Sequence, residues 1–162
     1  MTADVGLRAV TQKDESFLLR LYATTRPEVS QFGWGEAEQQ AFISMQFQMQ
    51  TRSYAIQYPN AEQSIVTYKG TSAGRLIVDR SSNIQLTDIA VLPEFRGNGI
   101  ATTLIKRLQD EATRTGGDLA LSVERTNGTA FRLYRKLGFE ITAEGQIHIS
   151  MKWVPTANLK TK

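Results

Sequence analysis

An alternating apolar stretch, residues 84–91, runs through Pro93 into Arg96-Gly97-Asn98-Gly99 and then into a sustained helical repeat of apolar residues. A strand has to end there, two glycines have to turn the backbone, and a helix has to start with its first amide groups unpaired. Those N–H groups and the positive end of the helix dipole favour an anion. Glycine removes the Cβ that would hold a phosphate away from the backbone, and Arg96 adds a cation that can grip phosphate oxygens. Residues 96–101 therefore read as a phosphate-binding loop. The helix it opens is predicted over 99–115, with Ile100, Ala101, Leu104, Ile105, Leu108 and Ala112 facing inward.

The rest of the chain divides at similar signals. Val5, Leu7 and Ala9 mark a first strand over 5–10. Thr11, followed by Asp14 and Glu15, can start a helix carrying Phe17, Leu18, Leu21 and Tyr22, which Arg26-Pro27 ends. After a loop over 27–35, a long helix is predicted over 36–57. Its apolar stripe is Phe42, Met45, Met49 and Ile56, and its glutamines (Gln39, Gln40, Gln46, Gln48, Gln50) are expected to face water.

Strands follow over 64–68, 73–79 and 84–91. In the last of these Ile84 and Leu86 share one parity while Ile89 and Val91 take the other, so a bulge is expected near Thr87-Asp88. A short strand over 119–123 reads as central and parallel to it. A helix over 129–137 and a closing hairpin of 139–143 with 147–153 complete the order β-α-α-β-β-β-α-β-α-β-β. That is an α/β fold: a mixed, mostly antiparallel sheet flanked by helices, with one βαβ crossover. One domain is expected over 1–155, with a disordered polar tail over 156–162 that carries Lys160 and Lys162.

Composition removes several chemistries. With no cysteine and one histidine, the chain lacks a thiol nucleophile, a disulfide scaffold and a multi-histidine metal site, so no metal is expected. A net charge of +3 with scattered Lys and Arg does not make a nucleic-acid face. No apolar run approaches the ~18 residues that cross a bilayer. The first residues lack the basic and apolar regions of a secretory leader, so a cytoplasmic location is expected.

Three phosphate ligands compete for the loop. A Walker A loop needs Lys and Ser/Thr where Ile100-Ala101 stand. A dinucleotide fingerprint wants a small residue at Thr102 and a second βαβ unit, although Glu124 stands near the spacing of its acidic residue. The pyrophosphate of coenzyme A remains, beside the plain alternative of a strand–helix turn that uses glycine only for its geometry.

The stretch Leu86-Thr87-Asp88-Ile89-Ala90-Val91-Leu92-Pro93-Glu94-Phe95-Arg96-Gly97-Asn98-Gly99-Ile100-Ala101 closely resembles motif A of the GNAT superfamily of N-acetyltransferases. Asn127-Gly128-Thr129-Ala130-Phe131-Arg132-Leu133-Tyr134-Arg135-Lys136-Leu137-Gly138-Phe139 is similar to its motif B. The resemblance is specific across residues 63–153 and vague for the first 60. Many members carry glycine where Ala101 stands.

The resemblance implies a GNAT-like fold with a bulged fourth strand and acetyl-CoA as donor. The pantetheine arm would pair with Ile89, Ala90 and Val91. The pyrophosphate would meet the amides of Arg96, Gly97, Asn98, Gly99, Ile100 and Ala101, and Asn127 would also touch the donor. Direct attack by an amine needs a neutral nitrogen, a donor to the developing oxyanion and a proton for the thiolate. The implied oxyanion donor is the amide of Ile89 or Ala90, freed by the bulge, and the implied acid is Tyr134. The base is open among Asp88, Glu124 and ordered water, while His148 reads as a strand histidine. The acceptor is expected to be a small or peptidyl primary amine, bordered by loop 26–35 and the second helix. Trp34 suits a core or a dimer interface, so a homodimer is compatible with the sequence. The alternative is a non-catalytic acyl-CoA-binding regulatory or interaction domain, which needs residues 96–101 but not Tyr134.

Overall fold

The expected tail, apart from Thr156, lies outside the residues described by the computed structural model, which are 4–156. Among these, the strands are β1 (Val5–Ala9), β2 (Glu62–Tyr68), β3 (Thr71–Asp79), β4 (Ile84–Val91), β5 (Leu119–Glu124), β6 (Glu140–Glu144) and β7 (His148–Trp153). The α-helices are α1 (Glu15–Thr24), α2 (Glu36–Gln57), α3 (Ile100–Thr115) and α4 (Gly128–Lys136). α1 begins later than Thr11 because a 3-10 turn, Gln12–Asp14, precedes it. The Asp14 carboxylate accepts the Thr11 amide at 2.8 Å and two Arg8 guanidinium bonds at 2.7 and 2.9 Å, which ties that turn to β1.

The strands form one seven-stranded sheet in the order β1-β2-β3-β4-β5-β7-β6. β4 and β5 are the parallel pair, joined through α3; the other neighbours are antiparallel. The closing hairpin inserts its second strand, β7, between β5 and β6.

The phase slip in β4 has its physical answer in the register. Ile77 stands opposite Asp88 and Val78 opposite Leu86, so Thr87 is an extra residue on β4. Absorbing one residue there lets Ile84, Leu86, Ile89 and Val91 all pack on one core cluster. The same cluster takes Leu76 and Val78 from β3 and Ile100, Leu104, Ile105, Leu108 and Ala112 from α3. Each of those α3 leucines and isoleucines contributes about 1.5–3 kcal/mol by leaving water, as an upper estimate. α1 and α2 cover the opposite face, where Arg75 of β3 reaches Gln50 of α2.

α2 has its expected bounds but not its expected face. Met45, Met49 and Ile56 are exposed, the last to 83%, whereas Ile43 is buried and Phe47 half-buried. The inward face continues through Gln50 and Tyr54, which line a cleft together with other polar groups. Such a face shows no apolar period, so hydrophobic spacing alone cannot locate it. Two of the glutamines expected in water, Gln46 and Gln50, are half-buried on that side.

Among the described residues, no helix is long and apolar enough to cross a membrane.

Candidate active site

The parallel pairing of β4 with β5 stops at Leu86 and Leu121, next to the extra residue Thr87. Beyond that point the strands part, and a cleft of about 1330 Å³ opens between them. It is bounded by Thr87 through Val91 on one side and by Ser122 through Glu124 on the other. β3 pairs with β4 as far as Val91, so past the bulge the second edge of β4 borders the cleft with no strand against it among the described residues. Ile89, Ala90 and Val91, the residues expected to meet a pantetheine arm, are on this open edge.

One end of the cleft is made of backbone. Gly97 and Gly99 take left-handed conformations, with φ of 83° and 72°. Among the described residues, no heavy atom beyond the glycine and its chain neighbours lies within 4 Å of where a Cβ would stand at either position. α3 starts from Gly99 with no side-chain cap, so its first-turn amides remain available. Neighbouring side chains hold the turn from behind: Arg96 Nε donates to the Val91 carbonyl at 3.1 Å, and Asn98 Nδ2 to the Phe95 carbonyl at 2.9 Å. Arg96, Gly97, Gly99, Ile100 and Ala101 line the cleft; Asn98 is turned back and does not.

Asn127 also borders the cleft, but its Oδ1 accepts the Ala130 amide at 3.1 Å and caps α4. Its NH2 group is uncommitted among the described residues and can serve a ligand.

The other end is made of side chains. Tyr134 is 7% exposed, with its ring against Phe139 at 5.8 Å. Burial, and then the negative charge of Asp88, push its hydroxyl up to about 12. Asp88 receives Arg75 Nε at 2.9 Å and Arg75 Nη2, both on Oδ2. Arg75 also donates to Gln50 at 2.9 Å and lies over the Phe47 ring. Tyr54 is likewise raised to about 12, first by burial and then by Asp88, with Arg75 opposing.

Glu124 is nearer the mouth and half exposed, 3.8 Å from Arg26 Nη1. Arg26 in turn bonds the Tyr22 hydroxyl at 3.2 Å and stacks over that ring. His148, exposed at the start of β7, is Glu124's partner across the β5–β7 ladder and borders the cleft.

Tyr134, Asp88 and Glu124 thus line one cleft, with Asp88 paired to Arg75 and Glu124 to Arg26. Sequence reading missed Arg75, Gln50, Tyr54 and Arg26. One signal was available: Arg75 interrupts the apolar run Ala73-Gly74-Arg75-Leu76-Ile77-Val78, and a charge in a buried strand requires a partner. Of loop 26–35, Arg26, Pro27 and Glu28 line the cleft, whereas Phe32 and Trp34 form an exposed cluster with Phe42.

With this geometry in view, comparison with known proteins is informative. A model of the acetyltransferase (GNAT) family matches residues 18–139. The chain is 31% identical over 101 residues to a thialysine N-epsilon-acetyltransferase of Mus musculus, covering 55% of this chain and 59% of that one. It is 37% identical over 57 residues to an L-methionine sulfoximine/L-methionine sulfone acetyltransferase of Salmonella typhimurium, covering 35% of this chain and 33% of that one. The alignments thus span from a third to about three fifths of these curated relatives. The PaiA N-acetyltransferase of Thermoplasma acidophilum, solved with coenzyme A, superposes with a TM-score of 0.68 at 15% identity, over 93% of this chain and 98% of that one. At that identity the likeness is one of fold.

Proposed function

The chain belongs to the acetyltransferase (GNAT) family, and we propose that it moves the acetyl group of acetyl-CoA to a primary amine by direct attack. The observation that carries this reading is the parting of β4 from β5 at the bulge. It leaves an open strand edge running between an uncapped helix N-terminus and a buried tyrosine.

The residues suit the donor. First-turn amides of α3 and the turn at residues 96–99 would take the pyrophosphate, where a Cβ would otherwise intrude. The free edge at Ile89, Ala90 and Val91 would pair with the extended amide-bearing arm. An amide of Ile89 or Ala90 would stabilise the oxygen of the tetrahedral intermediate. The amine nitrogen bonds to the acyl carbon and the carbon–sulfur bond breaks. The Tyr134 hydroxyl supplies the proton that the departing sulfur takes up. The proton shed by nitrogen goes to Asp88, Glu124 or water.

We read residues 1–155 as one catalytic domain acting in the cytoplasm, with donor and amine as its partners. The exposed Phe32 and Trp34 are compatible with a homodimer. The amino-acid-like substrates in the names of two relatives support a small primary amine as acceptor.

The test is thiol release from acetyl-CoA against a panel of primary amines, together with direct measurement of coenzyme A binding. Turnover on at least one amine, lost in Tyr134→Phe, is expected. Tight coenzyme A binding with no turnover on any amine would replace this reading with that of an acyl-CoA-binding domain.

A further inference from the structure

Asp88 is on the bulged strand, and its partner comes from the neighbouring strand. Arg75 stands opposite Ala90 in the β3–β4 register and reaches along the same face to Asp88. Arg75 is 5% exposed. Its contacts are unevenly spread: Nε and Nη2 both meet Oδ2 of Asp88, while Oδ1 accepts no hydrogen bond among the described residues. The frequent fork-to-fork pairing of arginine with a carboxylate engages both oxygens, as Arg8 does with Asp14. Here one oxygen is clamped and the other is left on a residue that lines the cleft.

Nη2 is shared with Gln50 Oε1, and the guanidinium lies over Phe47, so the clamp is held from α2 as well. Tyr134 from α4 and Tyr54 from α2 line the same cleft as Asp88, and burial, then the charge of Asp88, raises both hydroxyls. A carboxylate oxygen left without a protein donor in a cleft that these hydroxyls also line can accept an N–H group.

Building on the N-acetyltransferase reading, we propose that Arg75 is a positioning residue: by holding Oδ2 of Asp88 from β3 and α2 it presents Oδ1 to the nitrogen of the acceptor amine. Arg75 touches neither substrate. It acts through Asp88, on the acceptor side alone, because the donor end is built from the backbone of residues 96–101.

The experiment measures kcat, KM for the amine and KM for acetyl-CoA in wild type, Arg75→Met, Arg75→Lys, Asp88→Asn and the double variant R75M/D88N, with melting temperatures alongside. Arg75→Met and Asp88→Asn are each expected to raise the amine KM by about tenfold or more, with the acetyl-CoA KM within about twofold of wild type. The double variant should be no worse than the poorer single one, because both remove the same arrangement. Arg75→Lys, which keeps the charge and donates one bond, should recover part of the loss and remains informative where Arg75→Met does not fold. A rise in the acetyl-CoA KM equal to that for the amine overturns the inference while leaving the activity in place. So do multiplying losses in the double variant, or an unchanged amine KM in Asp88→Asn. A wild-type protein that binds coenzyme A and acetylates no amine removes the underlying reading, and the inference with it.

Discussion

The two ends of the cleft are built from different materials. Toward α3 the working groups are main-chain amides: a pair of left-handed glycines, an uncapped helix start and an unpaired strand edge. Toward α1 and α2 they are side chains, with Tyr22, Arg26, Gln50, Tyr54, Arg75 and Asp88 bonded to or facing one another. A backbone site can serve one unchanging ligand, because amides are the same in every residue and only geometry matters. A side-chain wall can be rewritten residue by residue for different acceptors without disturbing the donor end. The division predicts that substitutions sort by wall, and each prediction below is a way to make that sorting fail.

The largest effect belongs at the junction. Removing the Tyr134 hydroxyl as phenylalanine should lower kcat by roughly a hundredfold or more, with both KM values little changed. Because the ring is buried against Phe139, the phenylalanine variant should fold normally. The pH profile gives a second measure of the same group. Its pKa is raised, so the proton-bearing form extends upward, and the donor is lost only as pH passes through about 12. Activity should therefore climb as the amine loses its proton and show no falling limb at the ordinary tyrosine value of 10. Asp88→Asn removes the second cause of the shift, so the falling limb should move to lower pH. A descending limb near 10 in wild type would contradict the assignment.

Next in size is the donor wall. Ala at Gly99 must adopt a left-handed backbone, which costs about 1–2 kcal/mol and lowers Tm by roughly 2–8 °C. Since nothing among the described residues occupies the space a Cβ would take, any loss of donor affinity beyond that strain reports on the ligand. Gly33 is a control within the same chain: its φ is 77°, its Cβ position is equally empty, and it does not line the cleft. Gly99→Ala should raise the acetyl-CoA KM about tenfold and leave the amine KM alone. Gly33→Ala should lose similar stability and no donor affinity. Equal kinetics in the two variants would break the claim that the α3 turn holds the pyrophosphate.

The same division explains what could be read in the sequence. Backbone sites leave a residue signature, because only glycine fits a left-handed turn close to an anion, and the pair at 97 and 99 was legible for that reason. The bulge was legible too, since Ile84, Leu86, Ile89 and Val91 can share a core only if one residue is absorbed between them. The side-chain wall left no period. The inward face of α2 runs Ile43, Phe47, Gln50, Tyr54, changing from apolar to polar as it passes from the α1 contact to the cleft. Met45 and Met49 imitate an apolar stripe while facing outward. Arg75 was the one visible irregularity. Its partner could not be paired from sequence, because the register that sets Arg75 beside Asp88 depends on the extra residue Thr87.

The smallest predicted effect separates two roles that Asn127 holds at once. Its oxygen caps α4, a contact worth about 1 kcal/mol. Asn127 lines the cleft, and its NH2 group has no protein acceptor among the described residues. Asn127→Ala removes both and should lower Tm by about 2–4 °C. Asn127→Ser keeps a capping oxygen and discards the NH2 group. If that group touches the donor, the serine variant should melt like wild type and show an acetyl-CoA KM raised by about threefold, a hydrogen bond's worth. The amine KM should not move in either variant. A serine variant indistinguishable from wild type would leave Asn127 as a helix cap alone. The donor wall would then consist entirely of main chain, and the contrast between the two ends of the cleft would be complete.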